Sequence, residues 1–149
     1  MAVIRITKEF TFEMAHALLG YDGSCRYVHG HSYGLMVTVS GIPTDERNHP
    51  KDGMVMDFGN LKEIVKKNVV DVFDHALVLN SNTPPELLPG PGEMFDKMIM
   101  LDYQPTSENL VVDFAERIAS HLPSGVRLLS VRLRETATSY AEWHLKDNN

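Results

Sequence analysis

Between Ile4 and Met14 the chain alternates strictly enough to fix its local geometry. Ile4, Ile6, Phe10, Phe12 and Met14 hold even positions, while Arg5, Thr7, Glu9, Thr11 and Glu13 hold odd ones. A period of two is that of a β-strand, because successive side chains leave opposite faces of the pleat and the apolar set then turns to a core. Lys8 is the one exception among the even positions. Carried two residues further, the same alternation turns His16 inward. A second run, SYGLMVTVSG, puts Tyr33, Leu35, Val37 and Val39 on one face, and His29 and His31 share that odd parity. Both imidazoles therefore point to the same side of an extended chain.

Beyond Gly41 the polar loop IPTDERNHPKDG leads to MVMDF, where Asp57 is placed to cap a helix. That helix carries Phe58, Leu61, Ile64, Val65, Val69 and Val72 toward its inner side. The segment LNSNTPPELLPGPGE has the Pro and Gly density of a loop, and MIML reads as a further short strand. Pro105 to Ser107 opens a second helix with Leu110, Val111, Phe114, Ile118 and Leu122 inward. VRLLSVRLRE then alternates with Leu129, Val131, Leu133 and Glu135 in register, and a TAT turn leads into SYAEWHL. The order strand, strand, helix, helix, strand, strand predicts an α+β domain spanning residues 1–149, with two helices on one face of a four-stranded antiparallel sheet. Such a sheet has two free edges, which assembly with further copies commonly covers.

Composition narrows the function. A formal net charge of -6 argues against a general nucleic-acid surface, which rests on clustered Lys and Arg. No apolar run approaches the length of a membrane span or of a signal-peptide core, so a cytoplasmic chain without a membrane partner is expected. A single cysteine excludes an internal disulfide. No Walker loop, G-x-G-x-x-G or G-x-S-x-G occurs, leaving nucleotide-binding and serine-hydrolase readings without a motif.

The residues able to carry chemistry lie on and between the strands. Neutral imidazole is a good zinc ligand, and three histidines with an open fourth position form the pattern of a catalytic zinc site; His16, His29 and His31 are the candidate set. Histidines satisfied by backbone carbonyls are the plainer alternative. Cys25, four residues before His29, admits three readings. As a fourth ligand it would make the site structural, beside the metal it would hold a useful thiolate fraction, and otherwise it is a small buried side chain. Asp74 and His75 adjoin just past the first helix, where a carboxylate can fix a histidine tautomer for proton transfer. Glu135 shares its face with aliphatic residues and so needs a partner: Arg132, Arg134, or a ligand with two adjacent N–H donors. His49 and His121 read as solvated, and the methionines as core filling.

Taken together, FEMAHAL, CRYVHGHSY, GMVMDFGNLK, DHALVLN, PTSENL and RETATSYAEW span nearly the whole chain. In this order they resemble the pyruvoyl-tetrahydropterin synthase superfamily, most of all the 6-carboxy-tetrahydropterin synthases of the queuosine pathway. The resemblance implies a tunnelling fold in which sheets from several subunits join into a barrel, commonly a homohexamer built of two trimers. It implies Zn2+ on His16, His29 and His31, and Cys25 as a proton-accepting catalytic thiol beside the metal instead of a ligand. It further implies a relay of Asp74 with His75, a pterin anchor in Glu135 that also joins the relay, and Thr106, Ser107 and Glu108 lining the same pocket. The C-x-x-x-H-G-H spacing resembles the carboxy-forming branch, since pyruvoyl-forming synthases usually carry a longer gap. The expected reaction converts 7,8-dihydroneopterin triphosphate to 6-carboxy-5,6,7,8-tetrahydropterin, acetaldehyde and triphosphate. The alternatives are a 6-pyruvoyl-tetrahydropterin synthase, a non-catalytic zinc-stabilised binding module, and a metal-free hydrolase using Cys25 and His75. The segment from Ser81 to Gln104 looks longer than in compact relatives.

Overall fold

The computed structural model describes residues 1–90 and 94–149; the part of the expected Pro/Gly loop at 91–93 lies outside the described residues. The two alternating runs form long strands, β1 (Ile4–His16) and β2 (His29–Gly41), paired antiparallel from Ile4↔Gly41 to His16↔His29. A helical stretch follows: α1 (Phe58–Val65), a π-helical turn (Lys66–Val70) and the single turn α2 (Asp71–Phe73). Strands β3 (Ala76–Asn80) and β4 (Lys97–Leu101) precede α3 (Ser107–Ala119), and β5 (Arg127–Thr136) and β6 (Ser139–His144) complete the order.

The sheet corrects the four-stranded antiparallel expectation. It has six strands in the order β4-β3-β1-β2-β5-β6, and it is mixed, because β3 pairs parallel to both β1 and β4. The four strands with visible alternation do stand together in antiparallel order, as β1-β2-β5-β6. What the alternation could not reveal is β3, whose ALVLN is a continuous apolar run with its first four residues buried. A strand covered on both sides has no polar face to mark its period.

The core lies between the helices and the sheet face that carries the even residues of β1 and the odd residues of β2. Phe12, Met14, Tyr33, Leu35, Val37 and Val39 meet Leu61, Val65, Phe73, Leu110, Phe114 and Ile118, all buried. Phe12 stacks on Tyr33 at 5.2 Å and meets Phe114 edge-on at 6.2 Å, and Phe73 packs against Phe114 at 5.0 Å. Asp57 caps α1 by accepting from the Gly59 N–H, and Thr106 caps α3 by accepting from the Asn109 N–H. Phe58, expected inward, is 50% exposed, because it occupies the first position of α1 on the solvent side. The π turn resets the helical phase, so that the adjacent Val69 and Val70 are both buried. On the opposite, polar face Arg5, Thr7, Glu9, Thr11 and Glu13 are exposed as their parity demands. No helix among the described residues is long and apolar enough to cross a membrane.

Candidate active site

His16 closes β1 and His29 opens β2, and the two are direct register partners. His31 pairs with Met14, two residues along the same ladder, and so emerges on the same face. The ring centroids lie 4.5 Å apart for His16 and His29, 5.2 Å for His16 and His31, and 5.0 Å for His29 and His31. One ligand atom from each falls within 4.8 Å of the others.

The outward bonds of these rings decide which nitrogens are free. His16 Nδ1 donates to the Pro105 carbonyl at 2.7 Å, and His29 Nδ1 donates to the Tyr27 carbonyl at 2.7 Å. A carbonyl only accepts, so in the neutral ring each proton sits on Nδ1 and Nε2 keeps its lone pair. Nε2 of His16 and Nε2 of His31 are buried without any hydrogen-bond partner among the described residues. Burial holds His16 below the usual histidine range, outweighing the opposite effect of the Pro105 bond, and keeps its ring neutral. Buried imidazole nitrogens without partners, converging from two strands, fit a divalent ion that prefers nitrogen ligands.

Cys25 does not join this set among the described residues. It is half-buried in a single 3-10 turn, Ser24–Arg26, within the loop that leaves His16 and returns at His29. The thiol thus rides on a loop whose two ends are both candidate ligands.

Glu135 reaches the centre through a bulge. The β5–β6 register shifts between Arg134 and Thr136, leaving Glu135 as the extra residue, an arrangement that re-aims a side chain. Its Oε1 lies 3.6 Å from His31 Nε2, and its Oε2 accepts from Ser107 Oγ at 2.6 Å. Neither arginine considered as its partner takes that role: Arg132 pairs with Glu142 at 2.8 Å, and Arg134 donates to the Ala137 carbonyl at 3.0 Å. Ser107, Glu108, Glu135, Ser139, Tyr140 and Glu142 line a cleft of about 500 Å³. Thr106 adjoins it, its hydroxyl engaged in the α3 cap.

Asp74 and His75 do touch. Asp74 ends the helical stretch, its Oδ1 accepts from the Glu13 N–H at 2.9 Å, and His75 Nδ1 lies 3.1 Å from the same oxygen. The Glu13 amide, with a further pull from His75, holds the Asp74 carboxyl below the usual aspartate range. His75 has a left-handed backbone, φ 60°, fixed by its N–H donating to the Glu13 carbonyl at 2.6 Å. Its ring is largely exposed and lines a second cleft, of about 450 Å³, together with Glu13, Ser32, Phe95 and Asp96. Among the described residues no hydrogen bond or ion pair joins Asp74 or His75 to Cys25, Glu135 or the three histidines.

The sequence pattern marks Tyr33 only as core. It is fully buried, packs edge-on to His31 at 5.5 Å and to His16 at 6.3 Å, and its hydroxyl has no hydrogen-bond partner among the described residues. Its parity with His31 was the available signal.

Residues 5–145 match the family described as 6-pyruvoyl tetrahydropterin synthase. The chain belongs to that family. Among its relatives, the 6-carboxy-5,6,7,8-tetrahydropterin synthase of Haemophilus influenzae is 35% identical, the match covering 95% of this chain and 99% of the relative. The enzyme of the same name from Rickettsia bellii is 30% identical, covering 94% and 99%. Among solved structures, an uncharacterised protein from Wolinella succinogenes superposes with a TM-score of 0.77 at 25% identity, covering 97% of this chain and 99% of that one. The 6-pyruvoyl tetrahydropterin synthase of Caenorhabditis elegans gives a TM-score of 0.67 at 25% identity, covering 97% and 96%. The family resemblance read from the sequence is therefore confirmed, and this synthase-family chain carries its three-histidine cluster where the two longest strands converge.

Proposed function

We propose that this chain is a zinc-dependent, cytoplasmic 6-carboxy-5,6,7,8-tetrahydropterin synthase that converts 7,8-dihydroneopterin triphosphate to the carboxy product, acetaldehyde and triphosphate. The observation that carries the reading is the cluster of His16, His29 and His31 with the Glu135 carboxylate 3.6 Å from His31. The names of the curated relatives and the short C-x-x-x-H-G-H spacing favour the carboxy-forming outcome.

Each part of the chain has a task in this reading. Glu135 accepts the adjacent N–H groups of the pterin ring on its two oxygens, with Ser107 fixing one of them. Bound by His16, His29 and His31, zinc supplies Lewis acidity toward the hydroxyls of the substrate side chain. Cys25 accepts a proton from that side chain. Asp74, ionised at neutral pH, holds the Nδ1 proton of His75, so that Nε2 is the nitrogen able to exchange a proton with substrate. Loss of triphosphate, and cleavage of a carbon-carbon bond with one water consumed to supply the second carboxylate oxygen, complete the conversion. Assembly into a homohexameric barrel belongs to the same reading.

The test is a mass spectrum of the products after zinc-loaded protein meets 7,8-dihydroneopterin triphosphate in the presence of an aldehyde trap. Carboxy-tetrahydropterin with trapped acetaldehyde is the expected result. A pyruvoyl product would assign the sister reaction, and no product from fully loaded protein would overturn the lyase reading. Cys25→Ala with zinc retained is expected to lose turnover; full turnover would remove the thiol from the mechanism.

A further inference from the structure

We infer that Gln104 is the positioning residue for Cys25, an inference that rests on the lyase reading of the site. The side-chain amide of Gln104 engages the backbone of Leu19 from both sides: Oε1 accepts from the Leu19 N–H at 3.1 Å, and Nε2 donates to the Leu19 carbonyl at 2.8 Å. This is the two-bond pairing of a neighbouring strand, made by one side chain. Asn80, at the end of β3, donates Nδ2 to the same Oε1 at 3.2 Å, and two donors converging on one atom fix which end of the amide is oxygen.

Leu19 is one residue from the bond that locates the thiol, since the Leu18 N–H donates to the Cys25 carbonyl at 3.0 Å. Among the described side-chain hydrogen bonds, only those of Gln104 join the loop between His16 and His29 to a residue beyond His29. The other side of Gln104 is equally constrained. Its carbonyl accepts from the Thr106 N–H at 2.8 Å and from Asn109 Nδ2 at 3.0 Å, and the next carbonyl, Pro105, accepts from His16 Nδ1 at 2.7 Å. Two consecutive residues thus hold a ligand histidine and the loop that carries the thiol in one frame.

A planar amide with one acceptor and one donor at this reach is what the clamp requires. Gln104→Glu keeps length and acceptor but loses the donor to the Leu19 carbonyl; Gln104→Leu removes both at similar volume. The zinc-loaded parent and variants are compared by amide hydrogen exchange across residues 17–28, by the rate of iodoacetamide reaction and by kcat and KM. The alkylation reports Cys25 alone, because the chain holds one cysteine. Zinc content is expected to match the parent, since the three histidines are untouched. Exchange across 17–28 is expected to quicken about 10-fold or more as the loop opens locally, and the alkylation rate to shift with it. Turnover is expected to fall about 10- to 100-fold in kcat with KM within about threefold, the signature of a displaced reacting group.

Quickened exchange with unchanged kcat would overturn the inference, as would unchanged exchange and alkylation. If both variants fail to fold, Asn80→Ala, which removes the third partner of the amide, is expected to show the same pattern at smaller amplitude, and a parent-like pattern there would overturn the inference. Absence of any pterin product from the parent would instead defeat the lyase reading, and exchange and alkylation would then decide the clamp by themselves.

Discussion

Ser107, the first residue of α3, gives its hydroxyl hydrogen to Glu135 Oε2 across 2.6 Å and so ties a helix start to a bulge in β5. In the proposed enzyme this bond orients the carboxylate that receives the pterin. Ser107→Ala is expected to lower kcat/KM roughly 10-fold, mainly through KM, which is the scale of one hydrogen bond to a charged acceptor. Glu135→Gln, which replaces one acceptor by a donor facing the ring N–H pair, is expected to cost about 100-fold or more. Steady-state kinetics with zinc content measured alongside checks both.

His16→Ala removes a buried candidate ligand and leaves the Pro105 carbonyl without its donor. The variant is expected to bind zinc at least about 10-fold more weakly than the parent, by competition with a chromogenic chelator, consistent with the effect of losing even an outer partner of a ligand. Chelator treatment of the parent is expected to abolish turnover, and zinc is expected to restore it.

Tyr33→Phe deletes a buried hydroxyl that has no partner among the described residues. Loss of an unsatisfied polar group is neutral or favourable, so the metal-free variant is expected to equal the parent or exceed it by about 1 kcal/mol in denaturant unfolding. Clear destabilisation would show that the hydroxyl is satisfied in solution.

Asp74 titrates below the usual aspartate range because its charged form accepts from the Glu13 amide. With the folded value depressed, its contribution to stability is complete above the unfolded value of about 3.9 and disappears as pH falls through the folded value. Asp74→Asn is therefore expected to flatten the stability curve below about pH 4. Carboxyl NMR of the parent, which reads the Asp74 midpoint directly, provides the second check.

Phe114 joins the sheet to the helical layer through both Phe12 and Phe73. Phe114→Ala is expected to destabilise the fold by about 3–5 kcal/mol, the range for truncating a buried aromatic residue. Chemical denaturation of the metal-free protein measures it.

Legibility followed the physics of each element. The three histidines were found by parity, because a strand has only two faces and core residues marked which one was inward. The helix caps were legible for a similar reason, since Asp57 and the Pro105–Ser107 segment act on backbone groups close by in sequence. Strand β3 escaped because ALVLN lacks a polar face, and its parallel pairing with β1 is set by the long excursion of the chain between them. Ser107 as the partner of Glu135 also escaped: the two are 28 residues apart, and a bulge leaves no periodic trace. Past Val65 the helical period found Val69 and Val72, but the π turn also buries Val70, which no fixed period marks, and the exposure of Phe58 reflects its terminal position, which spacing alone does not encode.

The ladder that pairs Ile4 with Gly41 also pairs His16 with His29, so one register governs both ends of the hairpin. A slide of β2 by a single residue would send His29 and His31 to the far side of the sheet from His16 while sparing most strand content. Circular dichroism would pass such a misfold; an ion seeking three nitrogens would not. All three candidate ligands precede α1 in the chain, so a metal bound at the cluster would favour hairpins zipped in the right frame over slipped ones.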